Sequence, residues 1–579
     1  MSTPTEMGST SRRGIARWSV AAIATAALVV SGSGLVAFAQ SGAGGSQGPA
    51  FVPADAAAYV EARIDMPGGQ ADALSEMLTA FPGFADPGSF DMKVDEVLAG
   101  LSAEMGVAVP AGDLIGDVLT GEIGLALGDL ESAMMGGEPS LLIGLAVADA
   151  ESASAAMDAL IADSVEPMTE STYNDVTIHT DASSSPPMSV AMYSDWMLIG
   201  TGEEMVQSSI DVLDGAAPGL ADEPDFATAW GRLPDARLGA AYVDFAPLTG
   251  LLDVATMMAE GETGMSVPTD DIMALLPNDM VASLAAESDR LNLEVLVTPG
   301  VPGAEARVHE SDLALSFPAD TQIYLEMRDV GSGLQTILDE GVALLEAQDT
   351  GAMDDTMGMS EIDMLLSEDS PITALLGVPL SEFLDFVGDA GVGASLSSDG
   401  LMLGIAGDVT DAATAEERVT SLLTILRMFL LSGEDPGMGI ESTEVAGVEV
   451  TTITLPIDQA LAESGLPLAV GDSFDVALTE DMLLIGMGDF VENAIIADPA
   501  DSLGASAGYT DALAGDTANA GVTYMNVSSL LAALDPMLAM MAPEWEMIAP
   551  YATGVDRMIV VPTADEEVAR ARMSVIVGQ

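Results

Sequence analysis

Four segments of the chain occur twice, in the same order, and this constrains the fold more than any other feature. Pro53-Ala54-Asp55 leads into AAAYVEARID, and Pro318-Ala319-Asp320 leads into TQIYLEMRD. Gly121-Glu122-Ile123-Gly124 is echoed by Gly388-Asp389-Ala390-Gly391, and DWMLIGTGEEM (195–205) by DMLLIGMGDFV (481–491). LGAAYVDFAPLTGLLD (238–253) returns as AGVTYMNVSSLLAALD (520–535). The offset between partners drifts by only about twenty residues, and chance matches would not keep their order through four segments. Two tandem copies of one unit are therefore expected, 51–300 and 312–579, joined by a connector at 301–311.

Each copy reads as an opening strand, then amphipathic helices (70–80 and 91–104, or 332–347 and 381–387), then two alternating strands. A helix follows at 149–163 or 411–431, with Asp149 or Asp411 in the N-cap position. Short strands come next, clearest at 188–201 and 474–487. A closing hairpin is expected at 281–297, turning at Ser288-Asp289, and at 557–577, turning near Asp565 and Glu566. Strands and helices mix without a strict βαβ rhythm, which predicts an α+β fold: a mainly antiparallel sheet packed by helices. Residues 348–370, rich in Asp, Met and Gly, read as an insertion in the second copy only.

The N-terminus predicts export. Arg12, Arg13 and Arg17 precede an apolar run from Trp18 to Val30, and Leu35 to Ala39 continue it after a small break. Positive charge before an apolar stretch marks the cytoplasmic end, so the rest of the chain is expected outside. Residues 1–39 serve either as a signal peptide, cleaved after Ala37-Phe38-Ala39 and before Gln40, or as an uncleaved anchor. Ser11 to Arg17 loosely fits a twin-arginine signal, with Ala16 where a bulky apolar residue is usual. Residues 40–50 read as a flexible linker.

Composition removes several chemistries. There is no cysteine, so disulfides, thiolate catalysis, iron–sulfur clusters and Cys-ligated zinc are excluded. The 92 acidic residues outnumber 15 basic ones, of which only Lys93 is a lysine, and the net charge is −77. Such a surface repels nucleic-acid phosphates and anionic lipid heads. The acids are dispersed among apolar residues, as on a solvated folded surface.

The stretches VPAD…YVEARID, GEIGLAL, LIGTGEE and LPDARLGAAYVDF together resemble the exported bacterial proteins grouped as domain-of-unknown-function family 3352. The resemblance spans most of residues 51–579 and implies an extracytoplasmic, often N-terminally anchored protein. It implies no reaction and carries over no site residue.

The motifs that look like chemistry each meet a physical objection. Gly504-Ala505-Ser506-Ala507-Gly508 matches a nucleophile elbow, but no buried strand precedes it and the only histidines, His179 and His309, lie upstream. A serine–lysine pair would need Lys93, and Phe90 stands three residues before it. Gly200-Thr201-Gly202 and Gly486-Met487-Gly488 start like a dinucleotide fingerprint, yet Met205 and Val491 replace its third glycine. Glu203, Glu204 and Asp489 in the first helical turn would repel a pyrophosphate. His179 and His309 are expected on alternating strands without metal-ligating neighbours. Met353, Met357 and Met359, and Met537, Met540 and Met541, could hold Cu(I), but methionine is also a common core filler. Trp196 and Trp230 are candidates for a binding face, although buried aromatic anchors are the commoner use of tryptophan.

No catalytic, cofactor or metal residue is assigned, beyond weak calcium or magnesium binding by clustered acids. The chain is expected to be a non-catalytic binding or scaffold protein of the cell envelope, partnered by an envelope protein. The alternative is a carrier or chaperone for an apolar ligand, and a hydrolytic enzyme is the third reading.

Overall fold

The computed structural model describes residues 48–578 with breaks, the longest at 85–118, 129–139, 247–276, 299–306, 332–372, 433–438 and 456–470. The expected leader 1–39, the helices 91–104 and 332–347, the insertion 348–370 and Asp149 lie outside the described residues. Described residues before 300 form one compact unit and those after it a second.

In the first unit the described strands are β1 (Ala56–Arg63), β2 (Leu119–Gly128), β3 (Ser140–Val147), β4 (Thr169–Tyr173) and β5 (Val176–Asp181). They continue with β6 (Met188–Tyr193), β7 (Trp196–Thr201), β8 (Gly239–Asp244), β9 (Asp279–Ala286) and β10 (Arg290–Thr298). Their order across the sheet is β4-β5-β6-β7-β3-β2-β1-β8-β9-β10, every neighbouring pair antiparallel. Helices α1 (Gln70–Leu78), α2 (Ala150–Asp163), α3 (Gly202–Leu213) and α4 (Pro224–Trp230) accompany it. Amphipathic α3 lays Val206, Ser209 and Ile210 inward, and α1 and α4 lie against β9.

The second unit holds β11 (Ile323–Met327), β12 (Val387–Ser397), β13 (Gly400–Val409), β14 (Gly439–Val445) and β15 (Val448–Thr454). Next come β16 (Ser473–Leu478), β17 (Met482–Met487), β18 (Gly521–Asn526), β19 (Val555–Ala564) and β20 (Ala569–Val577). Its order is β14-β15-β16-β17-β13-β12-β11-β18-β19-β20, again antiparallel throughout. The helices are α5 (Leu380–Phe383), α6 (Ala412–Ser432), α7 (Phe490–Ile496), α8 (Ala507–Leu513), α9 (Val527–Met541) and α10 (Trp545–Ala552). The α+β class with a large antiparallel sheet is as expected. In each unit the opening strand lies mid-sheet, between the second strand and the eighth.

Local chemistry sets the turns. Asn174 and Asp175 both have positive φ (47° and 65°) between β4 and β5, as do Ala446 and Gly447 (51° and 93°) between β14 and β15. Two positive φ values give the tight turn whose twist matches paired strands. The first closing hairpin turns at Ser288-Asp289, where Glu287 and Arg290 exchange backbone hydrogen bonds. The second turns beside Asp565, whose carboxylate accepts from the amides of Glu567 and Val568. Asp411 caps α6 by accepting from the amides of Ala413 and Thr414.

Three boundaries differ from the sequence reading. The helix expected over 381–387 is the single turn α5, because Phe386 and Val387 turn into the core and Val387 opens β12. The expected linker 40–50 is already packed at Gly48 and Pro49, both buried. The connector 301–311 ends early: His309 exchanges two backbone hydrogen bonds with Asn519 and belongs to the second unit.

Rings fill one face of each sheet. In the first unit Phe51 lies 4.7 Å from Trp196, and Phe226 lies 4.9 Å from Tyr242. In the second, Phe317 lies 4.9 Å from Tyr324 and 5.1 Å from Phe490, and Tyr509 lies 5.3 Å from Tyr524. These rings sit directly over glycines. A Cβ at Gly393 would stand 2.4 Å from Cδ1 of Phe317, which is buried and has no room to withdraw. Gly393→Ala should therefore destabilise the second unit by about 1–3 kcal/mol, the usual cost of overpacking. Urea denaturation would measure it, and an unchanged midpoint would show the ring to be less confined than its contacts imply.

Candidate functional site: a buried charge cluster in each unit

The opening strands place Tyr59, Glu61 and Arg63 on one face of β1, and Tyr324, Glu326 and then Arg328 along β11. Alternation would send such polar side chains to solvent, yet all six are buried. They point into the sheet face that carries the rings. Across from Arg63 in register stands Glu122 of β2, itself buried. The corresponding acid in the second unit is Asp389 of β12, also buried.

In the first unit Arg237 completes the group. Its Nη2 lies 3.4 Å from Oε1 of Glu61, and its Nη1 donates to the carbonyl of Pro234 at 2.9 Å. The guanidinium stacks 5.0 Å from the centre of the Trp230 ring, a cation–π contact in a dry setting. Two carboxylates, Glu61 and Glu122, thus share a buried space with two arginines, Arg63 and Arg237. The Tyr59 phenol is held well above its ordinary pKa, first by burial and then by Glu61 and Glu122.

In the second unit Tyr324 Oη donates to Oε2 of Glu326 at 2.6 Å. Arg328 Nη1 donates to the other oxygen of Glu326 and, at 3.0 Å, to Oδ2 of Asp389. Its Nε and Nη2 donate to the backbone carbonyl and the side-chain oxygen of Asn519, at 3.2 and 2.7 Å. Asp389 also accepts from the amide of Asp329 at 3.0 Å, and Nε2 of His309 lies 2.6 Å from its Oδ2. Burial, and then Glu326, hold Tyr324 well above its ordinary pKa, so it stays a neutral donor. Asp408 of β13 is pushed up to about 6, mainly by burial and then by the charges of Asp389 and Glu326.

In the second unit the carboxylates of Glu326 and Asp389 are engaged by Arg328 and, for Glu326, by Tyr324, and such a charge-assisted network rigidifies the sheet centre. The sequence reading missed these clusters because a single polar-apolar alternation does not say which face is dry. The signal present was the recurrence of Tyr-x-Glu-x-Arg in both units, each followed by a Gly-Glu or Gly-Asp strand.

The motifs weighed from sequence are dispersed. Ser506 is the N-cap of α8 and accepts from the amide of Tyr509. Gly202 takes a left-handed turn (φ 75°) between β7 and α3, and Glu203 accepts from Thr180 Oγ1 at 3.2 Å. His179 stands on β5 with Nδ1 4.0 Å from Glu170. His309, expected on a strand, sits instead on an isolated bridge to Asn519, since the segment before β11 runs irregularly. Trp196 is buried, whereas Trp230 is half-buried and stacks on Phe226. Met537 and Met540 lie on α9, while Lys93 and the Met353–Met359 group fall outside the described residues. Among the described residues no group of three or more acidic or histidine side chains could hold a metal ion. No helix among them is long and apolar enough to cross a membrane.

A family model described as a protein of unknown function (DUF3352) matches residues 101–348. No curated protein matches the chain. Among solved structures, crystal forms III and I of TP0453 are similar at 10% identity and a TM-score of 0.23. They cover 45% and 43% of this chain, and 80% and 77% of TP0453. A likeness that slight carries no argument about fold or function.

Proposed function

We propose, for a chain whose residues 101–348 belong to that family, a non-catalytic scaffold on the outer side of the cytoplasmic membrane, built from two copies of one module. One observation carries the reading. The polar side chains that recur between the units, Tyr59 and Tyr324, Glu61 and Glu326, Arg63 and Arg328, are buried. The repeat therefore maintains a sheet centre and not a reaction centre. The matching strand orders and the four co-ordered sequence segments support duplication. The basic and apolar N-terminus supports export by a signal or an anchor, and the −77 charge argues against nucleic-acid partners.

A second reading, an apolar-ligand carrier, draws on one feature of the second sheet. Ile323, Leu325 and Met327 are 37%, 38% and 41% exposed on the face opposite the rings, and Ile405 is 42% exposed. Leu325, Val392 and Ile405 form one row across three strands.

Native mass spectrometry of the full-length protein purified from its own envelope tests both readings. A co-purifying protein in fixed ratio is the expected result. A retained lipid would favour the carrier, and the bare chain in every preparation would count against both. Fractionation of cells carrying a tagged copy tests the address, which uncleaved protein in the cytosol would defeat.

A further inference from the structure

The first sheet sets two aspartates directly opposite each other. Asp244, at the end of β8, pairs in register with Asp279, at the start of β9, two residues beyond the pair of Tyr242 with Val281. Like charges so placed destabilise paired strands unless something neutralises them. Asp279 is buried, and its Oδ1 has no hydrogen-bond partner among the described residues. Thr298, facing it from β10, supplies a hydrogen bond to the carboxylate and accepts one from Nη1 of Arg232 at 3.2 Å. Asp244 is half-buried, and its Oδ1 accepts from the amide of Ala246 at 2.8 Å. Two further acids, Glu223 and Asp225, stand at the start of α4, whose Phe226 packs on Tyr242. After burial, the groups that hold the Tyr242 phenol above its ordinary pKa are Asp244, Asp279, Asp225 and Glu223, in that order.

The second unit has a cation in the corresponding place. Asn526 pairs in register with Arg557, two residues beyond the pair of Tyr524 with Ile559, so these two occupy the positions of Asp244 and Asp279. Helix α8 stands where α4 does, with Tyr509 against Tyr524 as Phe226 lies against Tyr242. The Arg557 guanidinium donates through Nη1 to the carbonyl of Gly508 at 2.6 Å and lies 3.9 Å from Asp511, both on α8. Its Nε donates to Asp556 at 2.7 Å. A built-in cation thus ties β19 to α8, and it lowers the Tyr524 phenol where four acids raise that of Tyr242.

We propose that the first unit takes a hard divalent cation, calcium or magnesium, between Asp244 and Asp279, where the second unit carries its own cation in Arg557. Two carboxylates with water in the remaining positions suit such an ion, which binds oxygen and keeps part of its hydration. Asp225 and Glu223 add negative charge at the rim. The ion gives the orphaned Oδ1 of Asp279 a partner and turns the repulsion between the two aspartates into a bridge. It fastens the ends of β8 and β9 together beside α4, as Arg557 fastens β19 to α8.

Terbium luminescence on the full-length protein tests this, because Tb³⁺ stands in for Ca²⁺ and is excited by transfer from a nearby ring, here Tyr242. At about 0.15 M sodium chloride, which screens diffuse attraction to the acidic surface, the signal should saturate. Calcium should displace it with half-saturation at roughly 0.1–1 mM, the range of extracellular calcium modules. Asp244→Asn and Asp279→Asn should each weaken binding by about ten-fold or more, since ligand charge sets the affinity. Asp501→Asn, an exposed acid of the second unit, should leave it unchanged. The double variant Asp244→Asn with Asp279→Arg installs the second unit's pair. It should bind no ion and, without divalent cations, melt no lower than the wild type. Hydrogen–deuterium exchange supplies a readout that needs no variant. Calcium at about ten times half-saturation should protect peptides 239–244 and 279–286 by about ten-fold, the mass-action gain from one site. Peptides 521–526 and 555–564 should change far less. The proposal is overturned if neither calcium nor magnesium protects the first-unit peptides, if the second-unit peptides respond as strongly, or if both asparagine variants bind like the wild type.

Discussion

Arg328→Met should cost the second unit about 3–5 kcal/mol at pH 7.5, the penalty for leaving buried carboxylates without their counterion. The change removes donors to Glu326, Asp389 and Asn519 at once, while the methionine chain still fills the stem's volume. Arg63→Met in the first unit should cost less, because Arg237 remains 3.4 Å from Glu61. Urea unfolding of the full chain, with each unit followed by exchange of its own central strands, would separate the two effects. Equal and small losses for both variants would show that neither arginine holds its cluster together.

Added salt should raise the melting temperature by about 10 °C over the first few tenths molar, roughly 3–5 kcal/mol for a chain of this size. Folding gathers a net charge of −77 into compact bodies, so the acids repel more strongly in the folded than in the unfolded state. Salt shortens the screening length from about 10 Å at 0.1 M to about 3 Å at 1 M. Sodium chloride and sodium perchlorate screen alike at equal strength, and only the first could act by promoting apolar burial, so both should raise the midpoint. Mild acid should act in the same direction through Asp279 and Asp408, whose carboxyls are held above their ordinary range first by burial and then by neighbouring acids, so that stability is gained as they protonate. A flat or falling curve in both salts would sink the repulsion argument and leave the acidic excess to specific cation sites.

Much of the scaffold was legible because it is written in short-range signals. Val176 to Asp181 alternates cleanly, Ser288-Asp289 sits between two alternating runs, and Asp411 precedes a long periodic segment. The charge clusters were not legible for a reason built into β-strands. In Tyr59-Val60-Glu61-Ala62-Arg63 the polar residues occupy one face and the small apolar ones the other, and the default reading sends the charges outward. The molecule does the reverse, because Glu61 and Arg63 meet Glu122 and Arg237, which lie about sixty and about 175 residues further along the chain. In β11 the inversion leaves Ile323, Leu325 and Met327 facing out. Pairings over such separations leave no mark in a local window. Only the recurrence of the whole pattern in the second unit hinted at it, and recurrence alone does not say that a side chain is buried. The boundary errors at 381–387 and at the connector have a related cause, since Phe386 and His309 take their places from distant partners.

The central position of each opening strand bears on how the chain is assembled in time. Tyr59 pairs with Tyr242 and Tyr324 with Tyr524, so in each unit the first strand made is flanked on one side by a strand that emerges nearly two hundred residues later. Contacts of such long sequence separation fold slowly, because the intervening loop must close before any pairing rewards it. Until then β1 or β11 presents an open backbone edge beside partly buried charges, the kind of edge that recruits unrelated chains. A chain delivered N-terminus first would thus be held open until most of each unit has arrived, and its quality control would act on unfinished sheets instead of finished domains.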